Sequence, residues 1–211
     1  RCKPEAEIHD SARLDLNEVL GILIPAAKAG KRVVRLHTGD PSVYGAHREQ
    51  MDALKAAGVP FAVCPGVSSF FGAAASLGAE YTLPGVSQTV ILTRAAGRTP
   101  VPEKERLSAL AAHGASMVLF LSAGRVAEAV SELLAGGYYT NETPAAVVYK
   151  ATWPDERILR TTLDELAKDA EAAGITKTAL LLIGDFLGAA YENSKLYDPS
   201  FTTEFREGKQ A

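Results

Sequence analysis

Short runs rich in Val, Leu and Ile alternate along this chain with alanine-rich stretches that have helical periodicity. This alternation is typical of β–α–β units, in which helices cover a largely parallel sheet. The sequence therefore predicts an α/β fold with a mainly parallel sheet. The predicted strands are KRVVRLHTG, PFAVC, QTVILTR, SMVLFLS, PAAVVYKAT, the start of RILRTTLDELAKDAEAAG, and TKTALLLIGDF.

Helices are predicted in the stretches between these strands. In the first of them, LNEVLGILIPAAKAG, Asp15 is the predicted N-cap and Gly30 the predicted end. Pro25 lies inside this stretch and predicts a weakened or kinked helix, because proline lacks the backbone N–H. The last predicted helix has Thr162 as its N-cap. The others are AHREQMDALKAAG, SSFFGAAASLG, PEKERLSALAAHG and AGRVAEAVSELLAGG.

The length of 211 residues suits one large domain or two small ones. The alternating pattern pauses at LPGVSQ, around Pro84–Gly85, and then restarts. We therefore predict an N-terminal α/β domain over residues 1–84 and a C-terminal α/β domain over residues 85–211.

The charge balance limits the kinds of partner. The net charge is −3, so the molecule as a whole has no general attraction for nucleic acid or for an anionic membrane. An acidic ligand would therefore require a local cationic patch. The two cysteines, Cys2 and Cys64, are far apart in the sequence, which predicts neither a disulfide framework nor structural zinc and favours a reducing, cytoplasmic compartment.

Several well-known catalytic patterns are absent from the sequence. It contains no GxxxxGK[ST], no GxGxxG after a strand, no HExxH and no GxSxG. The four histidines do not have the spacing of metal ligands. We therefore predict no metal site and assign no catalytic side chain.

The first of three polar loops at strand ends is TGDPSVYG. Gly39 allows close approach of backbone to a ligand, and Pro41 restricts the turn. Asp40 can accept hydrogen bonds from turn amides or from a ligand, and Tyr44 has an apolar ring with a polar tip. From these residues alone, a well-formed turn and a binding loop are equally good interpretations.

The second loop, CPGVSSFFG, places Ser68 and Ser69 at a helix start, where they cap the helix or bind a ligand. The third, ILTRAAGRTPVP, contains Arg94 and Arg98, which are candidates for a cationic patch. Open α/β sheets bind ligands beyond the carboxyl ends of their strands. The three loops together therefore predict one ligand cleft.

GDPSVYG, PGVSS and ILTR…GRTP, in this order, resemble the S-adenosylmethionine-dependent tetrapyrrole (corrin/porphyrin) methylases. With EIHDSARLDLNEVL near the start and SKLYDPSFTTEFREG near the end, the resemblance covers essentially the whole chain. It is greatest to members that methylate C11 of precorrin-4 or cobalt-precorrin-4 in cobalamin biosynthesis. It implies two α/β domains with the cofactor cleft between them, a cytoplasmic homodimer and an acidic tetrapyrrole substrate.

The resemblance also implies a set of site residues. Methyl transfer from the sulfonium to an electron-rich ring carbon requires mainly alignment and desolvation, in agreement with the absence of an assigned catalytic residue. S-adenosylhomocysteine is the expected product. The expected substrate-binding residues are Tyr44, Arg94 and Arg98. The expected cofactor-binding residues are Thr38, Gly39, Asp40, Val43, Ser68, Ser69, Leu121 and Ala151.

The chain departs from the family pattern in one respect. Family members open with a GxGPGDP-type loop after their first strand, which this chain lacks. We therefore expect the N-terminal domain to lack its first strand and helix. Two alternatives stay open: another tetrapyrrole C-methyltransferase, of the uroporphyrinogen-III or precorrin-3 type, and a non-catalytic module that binds a tetrapyrrole or the cofactor.

Overall fold

The computed structural model describes residues 2–188 and 190–209, which form a mixed α/β fold. The chain divides into two compact units, one ending at Ser68 and the other beginning at Ser69. The predicted domain boundary at Pro84–Gly85 lies inside the second unit. This boundary stays a prediction.

In the described part of the first unit, residues 2–68, the α-helices are α1 (Leu16–Lys28) and α2 (Arg48–Ala56), as predicted. Asp15 is the N-cap of α1: its carboxylate accepts from the backbone N–H of Glu18 at 2.9 Å, and the Glu18 carboxylate accepts from that of Asp15 at 2.8 Å. This reciprocal pair satisfies two N–H groups that a helix start leaves open. The helix continues through Pro25. A short 3₁₀ helix, Ser11–Arg13, precedes it.

The two strands predicted in the first unit do not form. Residues 32–38 and 60–65 have no helix or strand structure, and no backbone–backbone hydrogen bond joins either segment to any other described residue. A strand requires a neighbouring strand that pairs with its backbone N–H and C=O groups, and these segments have no such neighbour among the described residues. Their apolar side chains are also largely exposed: Val34 is 76% exposed, Leu36 81% and Val63 50%. Both segments line a cavity of about 850 Å³ within this unit. The strand predictions were therefore wrong for these two runs.

The second unit contains the remaining predicted elements, and their types are confirmed. A 3₁₀ turn, Glu103–Glu105, replaces the first part of the helix predicted near Pro102. Thr162 is the last residue of a strand, where its hydroxyl bonds the Asp164 carboxylate, so the predicted cap was wrong. The strands are β1 (Val90–Arg94), β2 (Ser116–Phe120), β3 (Pro144–Tyr149), β4 (Arg157–Thr162) and β5 (Ala179–Ile183). The helices are α3 (Ser69–Leu77), α4 (Leu107–Ala111), α5 (Val126–Ala135) and α6 (Leu166–Ala172).

These strands form one mixed sheet in the order β1-β2-β5-β3-β4. β1 and β2 are parallel, whereas β5 is antiparallel to both β2 and β3, and β4 is antiparallel to β3. The prediction of a mainly parallel sheet was wrong, because the buried strand β5 inserts between two strands that run in the opposite direction. Since β1, β2 and β3 share one direction, their last residues, Arg94, Phe120 and Tyr149, lie at the same edge of the sheet.

Alternate side chains of the sheet enter two apolar clusters. On one face, Leu119 and Leu181 pack with Leu133 of α5 and Leu166 of α6, and all four are fully buried. The other face packs against α3, and its members include Ala73, Leu77, Val118, Val148 and Leu182. Helices therefore cover both faces and leave the strand-end loops as the accessible edge.

Candidate functional site

The TGDPSVYG loop of the first unit is organised by the Asp40 carboxylate. Its Oδ1 accepts from the backbone N–H of Ser42 at 2.8 Å and from the Ser42 hydroxyl, and its Oδ2 accepts from the backbone N–H of Gly66 at 2.7 Å. These bonds lower the pKa of Asp40 to about 2. Asp40 therefore joins the first polar loop to the second one, CPGVSS, through the turn amides that the sequence suggested.

Glycine is required where these two loops meet. A Cβ atom on Gly66 would lie 2.1 Å from the carbonyl oxygen of Gly39. Gly39 itself has a φ of +65°, a conformation that favours glycine. The two loops are therefore in backbone contact, and any side chain at Gly66 would separate them.

The other predicted residues of the first unit belong to the same two loops. Thr38 is exposed and Val43 half-buried, with its N–H donating to the Asp40 carbonyl at 3.3 Å. Tyr44 is 46% exposed and has a φ of +55°. A bulky residue in this conformation stores strain, and such strain is concentrated at ligand sites. Ser68 is the last residue of this unit.

In the second unit, Ser69 is the first residue of α3, and Leu121 directly follows β2. Leu121 has a φ of +54° and is 74% exposed, an unusual combination for a leucine. The fully buried Ser122 holds this position: its hydroxyl donates to the Phe120 carbonyl at 2.7 Å and accepts from the Ala95 N–H at 2.9 Å. Ser122 thereby joins the ends of β1 and β2. Sequence reasoning missed it, because a serine after a strand is a common turn residue.

Arg94, at the end of β1, holds its own loop. Its guanidinium donates to the carbonyl oxygens of Ala95 at 3.2 Å, Thr99 at 3.1 Å and Pro100 at 2.8 Å. Arg98 lies on the loop that these bonds shape, is exposed, and forms no hydrogen bond or ion pair with any described residue. The structure therefore places one predicted arginine in the loop framework and the other on its surface.

Ala151 follows β3 at the same sheet edge, between two residues of positive φ, Lys150 (+49°) and Thr152 (+69°). Lys150 is paired with Asp155, and its ammonium lies 5.3 Å from the centre of the Trp153 ring. These contacts order the loop around Ala151, which is half-buried. The second unit therefore brings Arg94, Leu121 and Ala151 to one edge.

Within residues 2–188 and 190–209 there is no cluster of three or more His, Cys, Asp or Glu side chains suited to a metal ion. No helix in the same ranges has the length and apolar character needed to cross a bilayer. The loops of the first unit offer exposed backbone and glycine, and those of the second offer strand-end residues of positive φ; each set is suited to contacting a ligand.

Sequence comparison agrees with the fold and the loop pattern. A model of the tetrapyrrole (corrin/porphyrin) methylases matches residues 2–167. The chain belongs to this family.

Individual relatives show which members of the family this chain is similar to. A cobalt-precorrin-4 C(11)-methyltransferase of Methanocaldococcus jannaschii is 51% identical over 206 residues, which are 97% of this chain and 79% of the relative. The crystal structure of a cobalt-precorrin-4 methyltransferase is similar to this chain with a TM-score of 0.86 and 48% sequence identity. The matched region includes 89% of this chain and 78% of the chain in that structure. A uroporphyrin-III C-methyltransferase of Thermus thermophilus, solved with S-adenosylhomocysteine, has a TM-score of 0.68 at 28% identity, covering 82% and 74%.

Proposed function

We propose that this protein transfers a methyl group from S-adenosylmethionine to C11 of cobalt-precorrin-4 or of metal-free precorrin-4. The observation that carries the proposal is the 51% identity to a relative of that name along nearly the whole chain. The higher identity to the cobalt-precorrin-4 structure (48%) than to the uroporphyrin-III structure (28%) favours this substrate over the uroporphyrinogen-III alternative.

The loops that carry the predicted cofactor residues fit a nucleoside cofactor. Accessible backbone at Thr38 and Gly39 supplies amide and carbonyl groups, and the exposed side chain of Leu121 supplies an apolar surface. A similar structure was solved with S-adenosylhomocysteine, which supports the same ligand here. We therefore assign cofactor binding to Thr38, Gly39, Asp40, Val43, Ser68, Ser69, Leu121 and Ala151.

When bound, S-adenosylmethionine supplies an already activated methyl group, so the chain has to align the reactants and exclude water. Asp40 contributes by holding two loops together through Gly66. Ser122 contributes by holding the strained Leu121 at the end of β2. Neither role requires a proton transfer at these side chains.

Substrate binding is assigned to Tyr44, Arg94 and Arg98. The acidic tetrapyrrole carries carboxylates, which guanidinium groups bind in a charge-assisted way. Arg98 has no partner among the described residues and is the direct candidate, whereas Arg94 shapes the loop that presents it.

We further propose that the protein works in the cytoplasm as a homodimer. The exposed, unpaired Cys2 and Cys64 agree with a reducing compartment.

Methyl transfer provides the test. The purified chain is incubated with methyl-labelled S-adenosylmethionine and, in separate reactions, cobalt-precorrin-4, precorrin-4 or uroporphyrinogen III. We expect label at C11 of a precorrin-4 substrate, located by NMR. Label on uroporphyrinogen III alone would establish the alternative methylase activity.

Calorimetric titration with S-adenosylhomocysteine separates binding from catalysis. Saturable binding without transfer to any of the three substrates would indicate a non-catalytic binding module. Absence of binding would contradict the cofactor assignment.

For the substrate residues, the variant Arg98→Ala is compared with Arg106→Ala. Arg106 is an exposed arginine that pairs with Glu103 at 3.1 Å. Only Arg98→Ala should raise KM for the tetrapyrrole.

A further inference from the structure

The corner after β3, residues 150–152, has an energetically unfavourable backbone. Lys150 and Thr152 both have positive φ although neither is a glycine. Two such residues on either side of Ala151 do not persist unless surrounding contacts hold them. Contacts from outside the corner must therefore hold it. At its first residue the Lys150 N–H donates to the Thr178 carbonyl at 2.9 Å, and at its last residue, Thr152, a side chain supplies the contact.

That side chain is Glu156. Its Oε2 accepts from the backbone N–H of Thr152 at 2.5 Å and from the hydroxyl of Ser76 at 2.7 Å. The same two donors lower the pKa of the Glu156 carboxyl below its ordinary value, because both bonds favour the ionised form. One carboxylate oxygen thus joins the corner to helix α3, which is distant in sequence.

Close packing beneath the corner supports the clamp. A Cβ atom on Gly72 of α3 would lie 3.0 Å from Cγ2 of Thr152 and 3.7 Å from Cβ of Ala151. Gly72 is buried, so the helix and the corner are in direct contact with little free space. Gly72 allows the corner to lie close to α3, and the Glu156 bond holds the backbone of the corner at Thr152.

We propose that Glu156 is a positioning residue for cofactor binding, which holds the corner so that Ala151 meets the cofactor. This role rests on the proposed function, in which Ala151 is a cofactor contact. Glu156 acts through Thr152 and Ser76 and itself touches neither cofactor nor substrate. Its removal should release the positive φ of Thr152, because the bond that compensates this conformation is lost.

The first test measures the Kd of S-adenosylhomocysteine by calorimetry. Glu156→Ala should raise Kd roughly tenfold, the effect expected from losing a charge-assisted bond in the native state. Glu156→Gln keeps an acceptor oxygen without the charge and should fall between the wild type and Glu156→Ala. Ser76→Ala removes one of the two donors, and its effect should not add to that of Glu156→Ala, because both act through the same oxygen.

A matched control and a second measurement separate positioning from general stability. Glu171→Ala removes an exposed carboxylate of α6 in the same unit and should leave Kd unchanged. Hydrogen exchange at the Thr152 amide should become faster in Glu156→Ala and remain slow in Glu171→Ala. Faster exchange with an unchanged Kd, or a lower unfolding midpoint with an unchanged Kd, would overturn the positioning role.

The proposed function and this inference fail in different ways. If the wild-type chain does not bind S-adenosylhomocysteine, the cofactor assignment fails, and with it the role of Ala151. If the wild type binds and Glu156→Ala binds equally well, only the positioning role fails.

Discussion

The backbone contact between Gly66 and Gly39 makes Gly66→Ala a sharp test of the first unit's loops. The added Cβ would lie 2.1 Å from the Gly39 carbonyl oxygen, whereas such contacts are essentially never shorter than 3.0 Å. The two loops must therefore separate by about 0.9 Å. A shift of that size along the bond between the Gly66 N–H and Asp40 would lengthen it from 2.7 Å to about 3.6 Å, which is no longer a hydrogen bond.

Because misplacement by about 1 Å can cost about 100-fold in rate, we expect kcat/KM for methyl transfer to fall by about that factor. The affinity for S-adenosylhomocysteine should fall as well. The assays are labelled-methyl transfer and calorimetry on the purified variant, with circular dichroism to show that the chain is folded.

Gly21→Ala is the matched control. Gly21 lies in α1 with no atom within 4 Å of an added Cβ, so the substitution should stabilise the helix by about 0.5–1 kcal/mol and leave catalysis unchanged. A folded Gly66→Ala variant with wild-type affinity and turnover would refute the argument, because the loops would then tolerate separation without functional loss.

Three further predictions follow from single contacts. Arg94→Ala should raise KM for the tetrapyrrole far more than the Kd of the cofactor, because it frees the loop that carries Arg98; equal effects in steady-state kinetics and calorimetry would contradict this. Leu181→Ala should lower the free energy of unfolding in urea by about 2–5 kcal/mol, whereas exposed Leu196→Ala should change it by less than about 0.5 kcal/mol; similar losses would mean that Leu181 is not central to the core. The pKa of Asp40 is about 2, below its ordinary 3.8, so its stabilisation is present above pH 4 and lost as the pH falls towards 2. The difference in urea midpoint between wild type and Asp40→Asn should therefore shrink between pH 5 and pH 2.5, and a constant difference would exclude this linkage.

The second unit was predicted well from the sequence because its signals are local. Continuous apolar runs such as ALLLI have no polar residue that could face water, and in the structure β5 is buried along its whole length. The Asp15 capping box likewise depends only on residues three apart. Element type was therefore readable wherever a segment's own residues decide it.

Strand pairing was not readable in the same way. The runs KRVVRLHTG and QTVILTR both contain short apolar, β-branched stretches. Yet QTVILTR contains β1, which pairs with β2, whereas residues 32–38 pair with no described backbone. The direction of β5 was equally hidden, since an apolar strand packs well in either orientation. Pairing depends on which backbone lies alongside, and that information is not contained in the run itself.

For the candidate site, too, the sequence predicted some features and left others to the tertiary structure. The order of GDPSVYG, PGVSS and ILTR…GRTP indicated the family, and the sequence alone was sufficient for that assignment. The sequence did not show that Asp40 bonds Gly66, that Arg94 holds its own loop, or that Glu156 clamps the corner after β3. These contacts join residues that are distant in the chain or turn a side chain back on its own loop. Motif and composition determined the class of the protein, whereas the partner of each charged side chain was decided only by tertiary structure, because a hydrogen bond depends on distance and angle in three dimensions.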